Sequence, residues 1–182
     1  MRDDRVEEPP PEREPGLFEV LGKYRRVQED RAKIEAWEPR GKEKLAEVPR
    51  NGPPEAYAAG TPERAVAEFM HLWERQNFGH MARLVPGPLY EKPSSKELGK
   101  IAGELRKIYE SKKLLAFEIS EIEDEAAAIT NVKVEVRFEQ EQQIIEKTLD
   151  LRLLYLDDEG SPTYRSSSEG SWKIQNLWLA IY

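Results

Sequence analysis

The chain has 182 residues, 35% of them charged, with a formal net charge of −7. That acidic balance argues against broad binding to nucleic acid, which needs a net basic face to neutralise phosphates, and leaves room for a local basic patch. Cysteine is absent, which excludes disulfides, thiolate catalysis and sulfur-based zinc sites. No apolar run approaches the ~20 residues of a membrane helix. The opening MRDDRVEEPPPEREPG lacks the apolar stretch of a secretory signal, so the expected location is the cytoplasm.

Residues 1–15 are charged and carry Pro9, Pro10, Pro11 and Pro15. They hold too little apolar surface to offset the entropy of ordering and are expected to stay disordered. In residues 16–37, Leu17, Leu21, Tyr24, Val27, Ile34 and Trp37 recur at helical spacing. They predict an amphipathic helix with a stripe too narrow to form a core alone. Residues 38–60 contain four prolines and three glycines and read as a linker or an irregular wrapping segment. The domain boundary is expected near Gly60.

The signals sharpen at Thr61-Pro62, a capping residue followed by the residue favoured in a first helical turn. A helix to about Gln76 then puts Val66, Phe69, Met70 and Trp73 on one face. A short helix is expected over about 78–85, closed by Pro86-Gly87-Pro88. A third opens at Ser94, where Ser94 and Glu97 fit the reciprocal capping box. Leu98, Ile101, Leu105, Ile108 and Tyr109 form its apolar face.

After Ser111 the apolar period falls from 3.6 to 2. Strands are expected over about 114–123 (Leu115, Phe117 and Ile119 inward), 127–140 (Val132, Val134, Val136 and Phe138 inward), 144–156 and 171–182. On the third strand, Ile145, Leu149, Leu151, Leu153 and Tyr155 share a face. Short turns join the first three strands as hairpins, and a longer Ser/Gly-rich connection spans 157–170. Helices followed by an antiparallel meander make an α+β domain over residues 61–182.

The helix TPERAVAEFMHLWERQNF running into GHMARLV, with long strands ending in SWKIQNLWLAIY, resembles the nuclear transport factor 2-like superfamily, including its SnoaL-like members. The resemblance covers roughly residues 61–182. It implies three helices packed on a curved four-stranded antiparallel sheet, a cone-shaped, cystatin-like roll with an internal pocket, here preceded by an N-terminal helical extension. It also implies pairing of sheets in a homodimer. The superfamily holds isomerases, dehydratases and polyketide cyclases beside non-catalytic binding domains, so the fold does not decide function.

The residues themselves nominate few chemical groups. Counted at ~100° per residue, His71 falls opposite the apolar face of its helix and is expected in solvent. His80 sits at a helix start. Neither histidine is assigned a catalytic or metal-binding role. Asn176 shares a strand face with Trp172, Ile174 and Trp178, and Thr130 lies on the apolar face of the second strand. These two, with Trp73, Tyr90, Phe117, Trp172 and Trp178, are the pocket candidates. The same aromatics at this spacing also serve as ordinary core. Leu177, Leu179 and Ile181, extended by Leu154 and Leu156, form an apolar patch expected to be an interaction surface for a second copy or a partner protein. The acidic runs Glu121–Glu125 and Asp157–Glu159 read as solvated turns at one end of the sheet, forming a negative patch. No residue pattern calls for a metal or a cofactor. The reading is a non-catalytic binding or protein-interaction domain with a small apolar pocket. The alternative is a small-molecule isomerase, dehydratase or cyclase.

Overall fold

A computed structural model describes residues 37–41, 43–44, 50–87, 90, 92–165 and 170–175. The expected tail at 1–15, the expected helix at 16–37 except Trp37, and Asn176, Trp178, Leu177, Leu179 and Ile181 lie outside these residues. The described residues belong to one compact unit, Ala36–Tyr182.

Among the described residues, three helices precede the main sheet. Helix α1, Pro62–Glu74, is capped by the Thr61 hydroxyl, which accepts from the Arg64 amide at 3.4 Å. Its Val66, Phe69, Met70 and Trp73 are fully buried, as the period demands. Helix α2, Phe78–Met81, is capped by Asn77 and passes into a 3₁₀ turn at Ala82–Leu84. Helix α3, Ser95–Tyr109, carries the full capping box: Ser94 Oγ accepts from the Glu97 amide, and the Glu97 carboxylate accepts from the Ser94 amide. Leu105, Ile108 and Tyr109 are buried and Leu98 and Ile101 pack against them.

The sheet is antiparallel in simple sequence order, β1-β2-β3-β4-β5. Strand β1, Glu43–Lys44, is a two-residue edge piece. The four main strands are β2, Lys113–Ala126; β3, Ile129–Gln140; β4, Gln143–Asp157; and β5, Gly170–Ile174. The architecture is therefore α+β, with helices packed on a four-stranded meander. The inner faces of β3 and β4 follow the expected alternation: Val132, Val134, Val136 and Phe138 are buried, as are Leu149, Leu151, Leu153 and Tyr155.

Strand β2 departs from the expected alternation. Its pairing with β3 slips by one residue between Leu114 and Ala116, between Ile119 and Glu121, and between Asp124 and Ala126. Each slip is a β-bulge, an extra residue that bends the strand and changes which side chains face inward. Leu114 is consequently buried while Leu115, expected inside, is 38% exposed. Beyond the second bulge the even-numbered residues Ile122 and Asp124 take over the inner face.

The proline-rich stretch before α1 runs along the free edge of β2. Asn51 exchanges backbone and side-chain hydrogen bonds with Phe117: its amide donates to the Phe117 carbonyl at 2.9 Å, and its Oδ1 accepts from the Phe117 amide at 2.7 Å. β1 pairs with Glu121 and Ile122, and farther along the Asp124 amide donates to the Arg40 carbonyl at 3.1 Å while the Arg40 amide donates to the Asp124 carboxylate at 3.0 Å. This covering corrects the expectation for His71. Its side chain is only 18% exposed, with Nε2 at 3.1 Å from the Gly52 carbonyl and its ring edge-on to Phe117. Helical periodicity put His71 away from Val66, Phe69, Met70 and Trp73 but said nothing about the Phe117 ring of β2 and the Gly52 segment that meet it. Among the described residues, no helix is long and apolar enough to cross a membrane.

Candidate functional site

Three expected pocket-lining residues, Trp73, Phe117 and Trp172, are packed into the interior against other side chains. Trp73 is fully buried, stacks edge-on to Tyr109 with ring centroids 4.8 Å apart and lies 5.8 Å from Phe138. Its indole N–H donates to the Lys112 carbonyl at 2.8 Å. Phe69 meets the other side of Tyr109 at 5.7 Å. Aromatic pairs of this geometry add about 0.5–1.5 kcal/mol each beyond their area. Phe117 is buried under His71. Trp172 is buried against Tyr155, with its N–H donating to the Gly60 carbonyl at 2.8 Å. Thr130 is fully buried, but its hydroxyl donates to Asp124 Oδ1 at 2.7 Å, so it serves a carboxylate and not an open pocket. Tyr90, by contrast, is 42% exposed, at a turn with φ of 66°.

Asp124 is the main correction to the acidic-turn reading. The second bulge of β2 rotates it inward, and its side chain is 1% exposed. Each carboxylate oxygen accepts two hydrogen bonds. Oδ1 takes Thr130 Oγ1 and Arg165 Nη1, at 2.7 and 2.9 Å, and Oδ2 takes the Arg40 amide and Arg40 Nε, at 3.0 and 3.1 Å. Burial opposes the charge, but the donors from Thr130, Arg40 and Arg165 outweigh it and hold the pKa below the usual carboxylate range. Arg40 also pairs with Glu63 at 2.9 Å. Arg165 further donates to the Ala126 and Ala127 carbonyls, and its guanidinium lies 4.7 Å from the Trp37 ring and 5.3 Å from the Trp172 ring. Two cations and two carboxylates thus balance in one clasp. It ties residues 37–40 and the β4–β5 connection to the first hairpin.

The remaining members of the acidic patch are also engaged. The two acidic segments do lie at one end of the sheet, since the Tyr155 amide donates to the Ala128 carbonyl. However, Glu125 binds Arg152 through both oxygens, Asp158 pairs with Lys92 at 2.8 Å, and Asp157 Oδ1 accepts the amides of Glu159 and Ser161. The expected negative patch is neutralised in part, by Arg152 at Glu125 and by Lys92 at Asp158.

The expected interaction surface on β4 is corrected as well. Leu154 and Leu156 are 7% and 2% exposed. Leu154 sits in the ladder between Ile129 and Lys173. After Asp157 the chain folds back, bridging Pro162 to Leu156.

A cleft of about 330 Å³ opens beside this corner. One wall is the chain leaving the 3₁₀ turn: Arg83, Pro86, Gly87 and Tyr90. Lys92, Pro93 and Leu98 form the base, and Asp157, Asp158 and Lys173 close the far side. The Lys92 amide donates to the Asp158 carbonyl at 3.2 Å, which fixes the crossing. The Tyr90 hydroxyl accepts from Gln175 Nε2 at 2.7 Å, and Gln175 Oε1 accepts from Arg152, which holds the ring as a wall. Alternation along β5 sends Trp172 and Ile174 inward and Lys173 to the cleft side. Lys173 Nζ donates to the Arg83 carbonyl at 2.7 Å. Burial lowers its pKa, the Asp158 charge raises it by a smaller amount, and the nearby Lys92 charge lowers it again. Three basic side chains, Arg83, Lys92 and Lys173, face two carboxylates, Asp157 and Asp158. With Lys173 protonated the surplus is one positive charge, beside the apolar side chains of Pro93 and Leu98.

Among the described pocket candidates, the cleft contains Tyr90 alone. Lys173, Lys92 and Arg83 escaped notice because each lies in a polar position of an otherwise ordinary helix turn, loop or strand. A second groove, of about 360 Å³, lies across the outer sheet among Arg50, Glu118, Glu135, Arg137 and Glu146. Its charges of both signs and open shape give it no convergent group. No family model, curated protein or solved structure matches this chain.

Proposed function

We propose that the chain is a non-catalytic binding domain of the nuclear transport factor 2-like kind, whose ligand occupies the Lys173 cleft at the end of the sheet. The family reading is supported by the helix order, the capping signals and the bulged antiparallel meander; the conical closure of the roll belongs to that reading. The binding reading rests chiefly on one observation. A cleft of about 330 Å³ combines a fixed aromatic wall, an apolar base and a surplus of basic side chains. Ligand sites generally pair apolar walls with a few placed polar groups at this scale. Such a cleft suits a small anion carrying an apolar or aromatic body.

Phenyl phosphate is a suitable probe. In calorimetric titration of the full chain, saturable one-to-one binding is expected. Arg83→Gln and Lys92→Gln should each weaken it about five- to tenfold, a loss of about 1–1.4 kcal/mol. The Arg83 carbonyl that anchors Lys173 survives the first substitution. Affinity indifferent to both substitutions, or no saturable binding at millimolar probe, contradicts the proposal.

A further inference from the structure

We propose that Lys173 is a reactive amine, condensing with a small aldehyde or ketone whose anionic group is held by Lys92 and Arg83. This deepens the binding reading above and rests on it, since the same cleft must first admit the carbonyl compound.

The argument begins with how Lys173 is held. Most lysines in ion pairs are kept protonated by a carboxylate within bonding distance. Lys173 Nζ donates instead to a neutral group, the Arg83 carbonyl at 2.7 Å. That bond needs only an N–H, which the uncharged amine also possesses, and it leaves the nitrogen lone pair free for attack. The neighbouring carboxylate of Asp158 is committed to Lys92 at 2.8 Å. Among the charged groups that face the cleft, Arg83 and Lys92 disfavour a further positive charge, and Asp157 and Asp158 favour one. The side chain is partly withdrawn from water, and its pKa is lowered. Burial outweighs the Asp158 charge here, and desolvation is a general route by which a lysine amine becomes nucleophilic.

The chemistry balances without a redox partner. The Nζ lone pair attacks the carbonyl carbon and a C–N bond forms as the C–O π bond breaks. The carbonyl oxygen takes up a proton, giving a carbinolamine. Loss of that oxygen as water leaves an imine. One amine and one carbonyl give one imine and one water. The cleft supplies the recognition: Lys92 and Arg83 for the anionic group, Tyr90 and Leu98 for the body between it and the carbonyl.

The test uses the full chain with 4-formylbenzoate, trapped by cyanoborohydride, with peptide mapping of the modified lysines. Lys173 is expected to label at least tenfold faster than the exposed Lys96 and Lys100 on α3 at pH 7.5. Phenyl phosphate should protect it. Lys92→Gln should slow labelling by 4-formylbenzoate more than labelling by neutral benzaldehyde. Lys173→Arg, checked for an unchanged melting temperature, should abolish the fast phase; the comparison among lysines within the parent chain stands even if that variant does not fold. Labelling of Lys173 no faster than of Lys96 and Lys100 overturns the proposal. If phenyl phosphate still binds in a Lys92-dependent way in that case, only the reactive amine fails. If neither occurs, the binding reading fails with it.

Discussion

Replacing Asp124 with alanine is expected to cost more than any other single substitution on the acidic end of the sheet. The carboxylate is 1% exposed and accepts four hydrogen bonds, two of them from guanidinium groups. Its removal leaves Arg165, whose side chain is 16% exposed, as a buried cation facing the Thr130 hydroxyl and two carbonyls. Arg40 retains Glu63 and is 36% exposed, so its loss is smaller. Breaking one side of a buried pair costs about 3–5 kcal/mol, because the partner charge stays behind. Partial relief at Arg40 argues for the lower half of that range, about 3–4 kcal/mol. Urea unfolding of the Asp124→Ala and Arg165→Met variants and of the double variant measures both the loss and the coupling. The double variant should lose well less than the sum of the two single losses, with a coupling of about 2 kcal/mol or more. A loss below about 1 kcal/mol for Asp124→Ala, or additive effects, refutes the clasp as a stabilising unit.

Further outcomes follow from the same geometry. Because the folded pKa of Asp124 lies below its unfolded value, its contribution is complete above about pH 4 and is lost as pH falls through the folded pKa. Asp124→Asn should therefore flatten the acid limb of a stability–pH curve measured by denaturant midpoint; an unchanged limb contradicts this. At Gly170, a Cβ would collide with the Tyr155 ring and the Thr163 methyl, so Gly170→Ala should cost about 1–3 kcal/mol by overpacking, read as a lowered melting temperature. His71→Ala should cost about 1 kcal/mol, through loss of the contacts to Gly52 and Phe117; a neutral result would place the covering segment off the helix. Ser94→Ala removes the capping box of α3 and should cost about 1 kcal/mol by the same measurement.

Most of the scaffold was legible because its signals are local. Thr61-Pro62 and Ser94 with Glu97 announce helix starts through backbone groups within four residues of each other. The alternation of Val132 to Phe138 fixes one strand's inner face. The inner face of β2 was legible only up to its bulges. Alternation carried past Ser120 places Glu121 and Glu123 inside, whereas the extra residue puts Ile122 and Asp124 there. Bulges are set by pairing with another strand, so a single strand's pattern does not announce them. The same limit hid the clasp, whose members Arg40, Asp124 and Arg165 are 84 and 41 residues apart. It hid the cleft too, because Arg83, Lys92 and Lys173 converge only once β5 lies beside the turn at Pro86. Exposed basic residues at such spacings usually mean a solvated surface. The aromatic residues were legible as apolar and their exact partners were not; Trp73, a pocket candidate by composition, is core because Tyr109 and Phe138 meet it.

Binding at the Lys173 cleft is tested most directly by mapping amide chemical shifts of the full chain during titration with phenyl phosphate. The account predicts saturable shifts concentrated at Gly87, Lys92, Leu98, Asp158 and Lys173, with Glu118 and Glu135 on the outer sheet unmoved. Shifts centred on the outer groove, or on the buried face around Trp73 and Tyr109, would contradict it.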